Sequence, residues 1–219
     1  VATRSPTRAL RPRRRAPSPA VLDALRAIED WHRRFDRRTA LTQDPLRFVH
    51  RYTDRRDREV VAVLSALMAF GRVAIISAKL QTLFSLLAPS PGALAETLSR
   101  EDLHRKLGGF RHRTFRGDDI ADLTFALGAL LRRDGSVFTS LEKAFSDTQD
   151  LRAALARWTV ELRSLAWPDG LDRASRHLVP DPNGSGASKR LLLLLRWAAR
   201  PDDGIDLGLS ALPTHALVI

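Results

Sequence analysis

The sequence predicts an all-α fold, a multi-helix, bundle-like globular domain, and two observations support this prediction. Apolar residues recur at helical spacing through most of the chain after residue 20, and no stretch of more than four residues alternates as a β-strand does. Capping and breaking residues divide this pattern into segments of helical length. With 219 residues, of which 44% are hydrophobic, the chain can build one good core or two small ones.

The predicted helices follow one another with short connections. The first spans residues 21–38, where apolar side chains recur at helical spacing. The pair Asp44-Pro45 is typical of a helix start, and Asp57 or a residue near it is the predicted cap of a strong helix over residues 58–70. The other predicted helices span residues 73–87, 91–98, 101–107, 118–133, 139–145, 151–165, 171–177 and 189–200, and residues 110–117 are predicted to form a basic loop.

The charge balance favours a polyanionic partner. The formal net charge is +11, and residues 1–20 hold six arginines and no acid. Prolines interrupt the same segment, so residues 1–20 are predicted to form a disordered tail and residues 21–219 a single helical domain.

The absence of cysteine excludes disulfides and thiolate zinc sites and suits a cytoplasmic protein. The apolar runs are too short to span a membrane, and no motif calls for a metal or cofactor.

The most informative segment begins in the Gly/Ser-rich loop before Lys189. Ser185 or Ser188 is predicted to cap the helix that follows, and free amides at a helix start favour a phosphate. On a 3.6-residue period, Lys189, Arg196 and Arg200 fall near one face, whereas the rest of the helix is apolar and should be buried. A buried helix with a cationic face needs an anionic partner, which is either an internal carboxylate or a bound phosphate backbone.

Lys189 itself has two interpretations. A lysine amine can attack a carbonyl-like carbon and form a Schiff base, which makes Lys189 the candidate catalytic residue. The alternative is a cation at a helix end that contacts solvent or a carboxylate. The spacing of the residues leaves both interpretations open.

Two further segments combine chemistry-bearing side chains. In residues 110–116, two phenylalanines interleave with basic residues that include Arg111 and Arg113. This pattern can stack on bases and neutralise phosphates, or it can form a plain basic loop that packs its phenylalanines. Residues 44–59 match no metal-ligand spacing and are predicted to form a structural polar cluster. Its members are Asp44, His50, Arg51, Tyr52, Asp57 and Glu59.

A series of motifs runs through residues 40–219. In chain order they are Asp44-Pro45-Leu46-Arg47-Phe48-Val49-His50-Arg51-Tyr52, Asp57-Arg58-Glu59, Phe70-Gly71-Arg72, Phe110-Arg111, His177-Leu178-Val179-Pro180, Lys189-Arg190-Leu191, Leu195-Arg196-Trp197-Ala198-Ala199-Arg200 and Asp206-Leu207-Gly208. The part from Lys189 onwards is the most specific. In this order the motifs resemble the bacterial family known as domain of unknown function 2400. The resemblance implies an architecture more readily than a reaction.

The C-terminal half of that family is in turn similar to the helix-hairpin-helix DNA glycosylases. Those enzymes place a lysine in the hairpin and an aspartate in a following Pro-x-Asp-x-His segment. Lys189 lies where the resemblance puts the hairpin lysine, and the aspartate segment would begin where this chain stops. The resemblance therefore implies a C-terminally truncated member that is inactive as given.

The resulting hypothesis is a DNA-binding protein of glycosylase-like architecture, with base excision in the intact protein as its enzymatic version. In that version Lys189 attacks the sugar of a flipped nucleotide. The alternative is a non-catalytic helical protein whose arginines pair with internal acids such as Asp57, Glu59 or Asp206. The sequence does not separate DNA from RNA. The predicted nucleic-acid-binding residues are Arg111, Arg113, Ser185, Ser188, Arg190, Arg196 and Arg200.

Overall fold

The structure is a computed structural model, and it describes residues 18–34, 39 and 41–217. Helices make up most of the described residues, so the predicted all-α, multi-helix class is confirmed. The chain divides into two compact units, residues 1–36 and 37–219, and each is described by itself. Apart from residues 18–20, the predicted tail lies outside the described residues.

The first unit contains helix α1, Pro19–Arg34. This helix is amphipathic, with exposed apolar side chains that include Leu25 and Ile28. Asp30 pairs with an arginine three residues further along the same helix. The helix predicted over residues 21–38 is thus present, and residues 35–38 lie outside the described part of the chain.

The second unit holds the remaining elements. In chain order they are a 3-10 helix Pro45–Arg51, α2 Arg55–Leu67, α3 Val73–Leu86, α4 Pro91–Thr97, α5 Arg100–Leu107, β1 Arg111–His112, β2 Phe115–Arg116, α6 Gly117–Asp134, α7 Thr139–Thr148, α8 Leu151–Ala166, α9 Arg173–Leu178, α10 Lys189–Ala199 and a 3-10 helix Thr214–Leu217. The helix bounds predicted for residues 58–200 are confirmed to within one helical turn.

Side-chain caps explain where the first two helices of this unit begin. Asp44 accepts a hydrogen bond from the amide of Leu46 at 2.8 Å, as predicted for a helix start, although the helix is of the 3-10 type. The cap of α2, predicted at Asp57 or a residue near it, is not Asp57 itself. Asp54 is the cap, since its carboxylate accepts from the amides of Arg56 at 2.9 Å and Asp57 at 3.2 Å. Asp57 therefore lies in the first turn, where its side chain can bind a neighbouring helix.

Helices α2 and α6 form the centre of the core. Nearly all of α2 from Glu59 onwards is buried, and this helix packs against α4, α6 and α10. Helix α6 packs in addition against α5 and α8. At Gly128 the backbones of α6 and α4 approach so closely that an added Cβ would overlap the carbonyl of Ala95. Beside this contact, Arg132 donates from Nη1 to the carbonyl oxygens of Ala95 at 3.2 Å and Glu96 at 2.6 Å.

The predicted basic loop over residues 110–117 is instead a short β-hairpin. Strands β1 and β2 pair antiparallel, with Arg111 opposite Arg116 and His112 opposite Phe115. Arg113 has φ +53° and turns the chain between the strands. His112 and Phe115 are fully buried, while the arginines of the hairpin are exposed. The hairpin therefore presents its cations on one side and packs its rings on the other.

No single helix among the described residues is long and apolar enough to cross a membrane. The helix pair Val73–Leu86 and Pro91–Thr97, bent by 56°, meets the length and composition criteria together. Both helices bury side chains in the core, which include Leu80, Leu83 and Ala95.

Candidate functional site

A cavity of about 640 Å³ lies between the β-hairpin, α9 and the segment that follows α2. We call it the Phe70 cavity. The residues that line it are Phe70, Thr114, Arg116, Asp172, Arg173, Ala174, Arg176 and His177.

Arginines dominate the charge of the Phe70 cavity. Arg116, Arg173 and Arg176 are exposed, and no carboxylate in the described part of the chain lies within ion-pair distance of them. The acid at the rim, Asp172, accepts hydrogen bonds from the amide of Ser175 at 2.8 Å and from its hydroxyl at 2.9 Å. These bonds hold the pKa of Asp172 below its ordinary value. The charge of Arg116 lowers that pKa further, so the cavity carries three cations against one anion.

Phe70 forms an aromatic wall of this cavity, and a guanidinium lies over it. The guanidinium carbon of Arg113 is 4.6 Å from the centre of the Phe70 ring. Gly71 makes this approach possible. Its φ of +116° suits glycine, and an added Cβ would overlap the guanidinium of Arg113. The Phe70-Gly71 motif thus positions a cation from the hairpin turn beside the cavity.

His177 closes the aromatic wall. Its ring packs edge-on against Phe70 with centroids 4.6 Å apart and lies 5.6 Å from the ring of Phe115. Burial lowers the pKa of His177, and the positive charges of Arg190 and Arg173 lower it further. A neutral imidazole is therefore favoured here, which leaves the charge of the cavity to its arginines.

The hairpin structure distinguishes between the two interpretations of residues 110–116, a segment that stacks on bases or a basic segment that packs its phenylalanines. Phe110 and Phe115 are buried, so neither ring can stack on a base, and the alternative of a basic segment that packs its phenylalanines describes them. Burial also lowers the pKa of His112, whose ring lies inside the same core. Arg111 and Arg113 are exposed, so the structure leaves both guanidinium groups accessible to a partner.

Lys189 is the first residue of α10 and is exposed. The predicted cap before it is wrong for Ser188, whose side chain makes no capping bond. Ser188 has φ +46° and ψ +29°, whereas a capping side chain needs extended backbone to reach the first amides. Ser185 is exposed in the preceding loop, where both serines line a cavity of about 420 Å³.

Arg190 contacts protein carbonyls, which differs from the phosphate contact predicted for it. The half-buried guanidinium donates to the carbonyl oxygens of Leu67, the last residue of α2, and His177 in α9. Burial lowers the pKa of Arg190 to about 10. Its donors thus hold the ends of two helices together.

Arg196 and Arg200 face an internal carboxylate. Asp206 is 1% exposed, and its Oδ2 lies 3.1 Å from Nε of Arg200, while its Oδ1 lies 3.9 Å from Nε of Arg196. Burial raises the pKa of Asp206, and the two arginines oppose that shift. Of the two anionic partners considered for α10, the internal carboxylate is the one observed for these residues.

Glu59 is the most buried acid of the predicted polar cluster. Its carboxylate accepts hydrogen bonds from Nε of Arg55 at 2.8 Å, from the hydroxyl of Ser136 at 2.9 Å and from the amide of Val137 at 2.8 Å. Because Ser136 and Val137 connect α6 to α7, Glu59 fastens that connection to α2.

Asp57 makes a second connection from α2. Its Oδ1 accepts from the hydroxyl of Ser90 at 2.6 Å and from the amide of Gly92 at 2.7 Å, both at the start of α4. Burial raises the pKa of the nearby Tyr52, and the negative charge of Asp57 raises it further. Both acids of α2 are thus occupied by partners within the fold.

The other members of the cluster also hold segments together. Nε2 of His50 lies 2.8 Å from the carbonyl oxygen of Ile205, and Arg51 donates to the side chain of Gln81 at 2.7 Å. Within the described residues, no group of three or more His, Cys, Asp or Glu side chains is arranged to hold a metal ion. The cluster therefore connects the N-terminal part of this unit to α3, α4 and the segment after α10.

A family model described as a protein of unknown function, DUF2400, matches residues 44–219. The chain belongs to the DUF2400 family. The family resemblance drawn from the motifs is thereby confirmed, while the similarity to glycosylases and the truncation stay predictions. Searches of curated proteins and of solved structures found no match. The region matched to DUF2400 contains the Phe70 cavity, Lys189 and the polar cluster.

The sequence predictions miss most of the Phe70 cavity. Phe70, Arg173 and Arg176 are absent from the predicted binding residues, and Arg116 belongs to the predicted basic segment 110–116 without being one of the residues selected from it. The sequence contains one signal for this site: Arg173 and Arg176 are three residues apart in the predicted helix over residues 171–177, so they lie on one face of it and make that face cationic.

Proposed function

We propose that this DUF2400 member is a cytoplasmic protein that binds nucleic acid, with DNA as the expected partner, through the Phe70 cavity. The observation that carries the proposal is the set of arginines around that cavity, Arg116, Arg173 and Arg176, without an acidic partner among the described residues. Unpaired cations on one surface create a positive potential that attracts phosphates. The adjoining Phe70 and Arg113 add a ring and a planar guanidinium, which suit contacts with bases.

The proposed surface differs from the one that the sequence favours. Arg196 and Arg200 share the carboxylate of Asp206, and the guanidinium of Arg190 is occupied by backbone carbonyls. Phosphates would have to compete with these partners at α10. Around the Phe70 cavity the arginines of α9 and β2 have no carboxylate within ion-pair distance among the described residues, and Asp172 and Asp119 act on Arg116 only from further away. Nucleic acid is therefore expected to bind there first.

Replacing Arg173 and Arg176 together by alanine tests this proposal. We expect the double variant to bind fluorescein-labelled DNA about tenfold or more weakly, because two phosphate contacts are lost. The slope of log K against log salt should also become shallower by about two. Fluorescence anisotropy between about 50 and 200 mM NaCl measures both quantities.

A matched control separates a local surface from net charge. Arg105→Ala with Arg157→Ala removes the same two charges from exposed helix positions that pair with Asp102 and Asp147. We expect this control to bind like the wild type. Equal losses in the two double variants would show that net charge alone attracts DNA and would rule out the Phe70 cavity as the site.

Base excision through a Schiff base at Lys189 is the enzymatic version of the proposal, and the geometry around Lys189 supports it less well than plain binding. Lys189 is exposed, and the two cavities lined by the neighbouring Ser188 do not include it among their walls. A nucleophile needs to be held against the reacting carbon. The exposed position fits a cation at a helix end.

Borohydride trapping on duplexes with one abasic site tests the role of Lys189. We expect no covalent adduct with either the wild type or Lys189→Ala, because no wall holds a sugar against the amine. A band that appears in the wild type and disappears in Lys189→Ala would instead establish a Schiff-base enzyme and identify its nucleophile.

A further inference from the structure

Three cavities adjoin one another along α9. The Phe70 cavity shares Arg176 with the cavity of about 420 Å³, which lies against the loop before α10. That cavity in turn shares Arg163 and Leu171 with a third, of about 410 Å³, which lies along the end of α8. Because neighbouring cavities share lining residues, the three lie side by side along α9, and we call them together the α9 groove.

Cations recur along the α9 groove. Arg173 and Arg176 lie at the Phe70 end, where Arg116 lines the same cavity. Arg163 lines the other two cavities, but its guanidinium donates to the carbonyl of Val179 from Nε at 3.0 Å and from Nη2 at 2.6 Å, so it is occupied within the fold as Arg190 is. Asp181 lines the cavity of about 420 Å³, which is the middle one of the three, and accepts a hydrogen bond from the amide of Asn183 at 2.8 Å. Asp172 likewise accepts one from the amide of Ser175. The three exposed arginines Arg116, Arg173 and Arg176 outnumber the two acids, so a polyanion is favoured at the Phe70 end and in the middle cavity, which Arg176 also lines.

Apolar surfaces lie between these cations. Phe70 lies at one end, Leu171 and Pro180 in the middle, and Trp167 with Val160 at the other end. Val160 is 58% exposed although it belongs to the well-packed helix α8. The indole Nε1 of Trp167 has no hydrogen-bond partner in the described part of the chain. Each cavity thus offers a surface on which a base could lie.

We propose that the α9 groove holds a single strand of nucleic acid and discriminates against a duplex. The inference rests on the proposed function and deepens it. A duplex stacks its bases on one another and exposes only their edges in its grooves, so the faces of the bases cannot lie on the apolar walls of these cavities. A single strand can bend its phosphates towards the arginines and turn its bases into the cavities, which is the arrangement that cationic grooves with aromatic platforms use.

The preference for a single strand is tested with the full chain and labelled oligonucleotides. The probes are a mixed-sequence single strand of about 12 nucleotides, as DNA and as RNA, and the corresponding blunt DNA duplex, all at the same salt concentration. We expect at least one single strand to bind about tenfold more tightly than the duplex, since stacking contacts are available to it alone. Equal or tighter binding of the duplex would overturn this inference and leave the proposed function intact, whereas no binding to any probe would overturn both.

Val160→Glu tests whether the single strand extends to the end of the groove that Val160 and Trp167 line. This exposed residue lies away from the Phe70 cavity, so the variant should weaken binding of the longer strand several-fold and leave a strand of about 4 nucleotides unaffected. Ser146→Glu adds the same charge at an exposed position of α7 outside the groove and should change neither affinity. If the two variants behave alike with the longer strand, the strand does not follow the α9 groove.

Discussion

Glu59→Ala is expected to lower the free energy of unfolding by about 3–5 kcal/mol. The substitution removes the acceptor for the buried hydroxyl of Ser136 and the buried amide of Val137. Arg55 is exposed and can return to solvent, so the loss comes mainly from the two buried donors. Urea unfolding followed by far-UV circular dichroism measures it.

An exposed glutamate provides the comparison for this prediction. Glu101 lies on the surface of the first turn of α5, and Glu101→Ala should change the unfolding free energy by no more than about 0.5 kcal/mol. Glu59→Gln keeps the shape of the side chain and one acceptor, so its loss should fall between the two. A loss for Glu59→Ala as small as that for Glu101→Ala would show that the hydrogen bonds of Glu59 contribute little to stability.

Gly128→Ala is the second substitution with a large expected effect, a loss of about 3 kcal/mol. In an isolated helix this change would be favourable by about 1 kcal/mol, because alanine is the better helix former. In α6 the new methyl group overlaps the carbonyl of Ala95, a backbone atom that a side-chain rotation cannot move. Helices α4 and α6 must therefore separate, which also strains the bonds from Arg132. Thermal and urea unfolding of the variant measure the loss.

Gly109→Ala is the matched substitution at an open position. An added Cβ there meets no atom within 4 Å. The variant should be as stable as the wild type or more stable by less than about 1 kcal/mol, through the lower entropy of its unfolded chain. If Gly128→Ala were equally harmless, the close contact between α4 and α6 would not be a feature of the folded protein.

Local signals explain why most helices could be predicted. Asp44-Pro45 and the breaks after residues 87, 134 and 150 are readable in the sequence because caps and breakers act within a few residues. The hairpin could not be predicted because each of its strands is only two residues long, Arg111–His112 and Phe115–Arg116, too short to show an alternation. The choice between Asp54 and Asp57 as the cap of α2 was also beyond the sequence, because it depends on α4 lying within reach of Asp57.

The candidate site could be predicted only in part, because it is assembled from distant segments. Asp206 is one of three internal acids that the sequence offers to Arg196 and Arg200. It is selected because the chain folds back on α10, where the amide of Leu207 bonds to the carbonyl of Trp197 at 2.8 Å. The Phe70 cavity likewise needs the hairpin, α9 and the end of α2 side by side. No local pattern reports that arrangement.

The guanidinium of Arg190 has a consequence for how the C-terminal half can come apart. One side chain of α10 donates to carbonyls near the ends of α2 and α9, two helices that are far from each other in the chain. If proteolysis released α10, the carbonyl oxygens of Leu67 and His177 would both lose their hydrogen-bond donor, and Phe70 would lose the packing of Arg190 behind it. Partial unfolding of this half is therefore costly, and the first cleavage in this region is expected to be followed by rapid digestion of the rest. A lysine at position 190 has a single ammonium group in place of the two NH2 groups of arginine, so it cannot donate to both carbonyls in the same way. Even the conservative substitution Arg190→Lys should therefore weaken the contact between α2, α9 and α10.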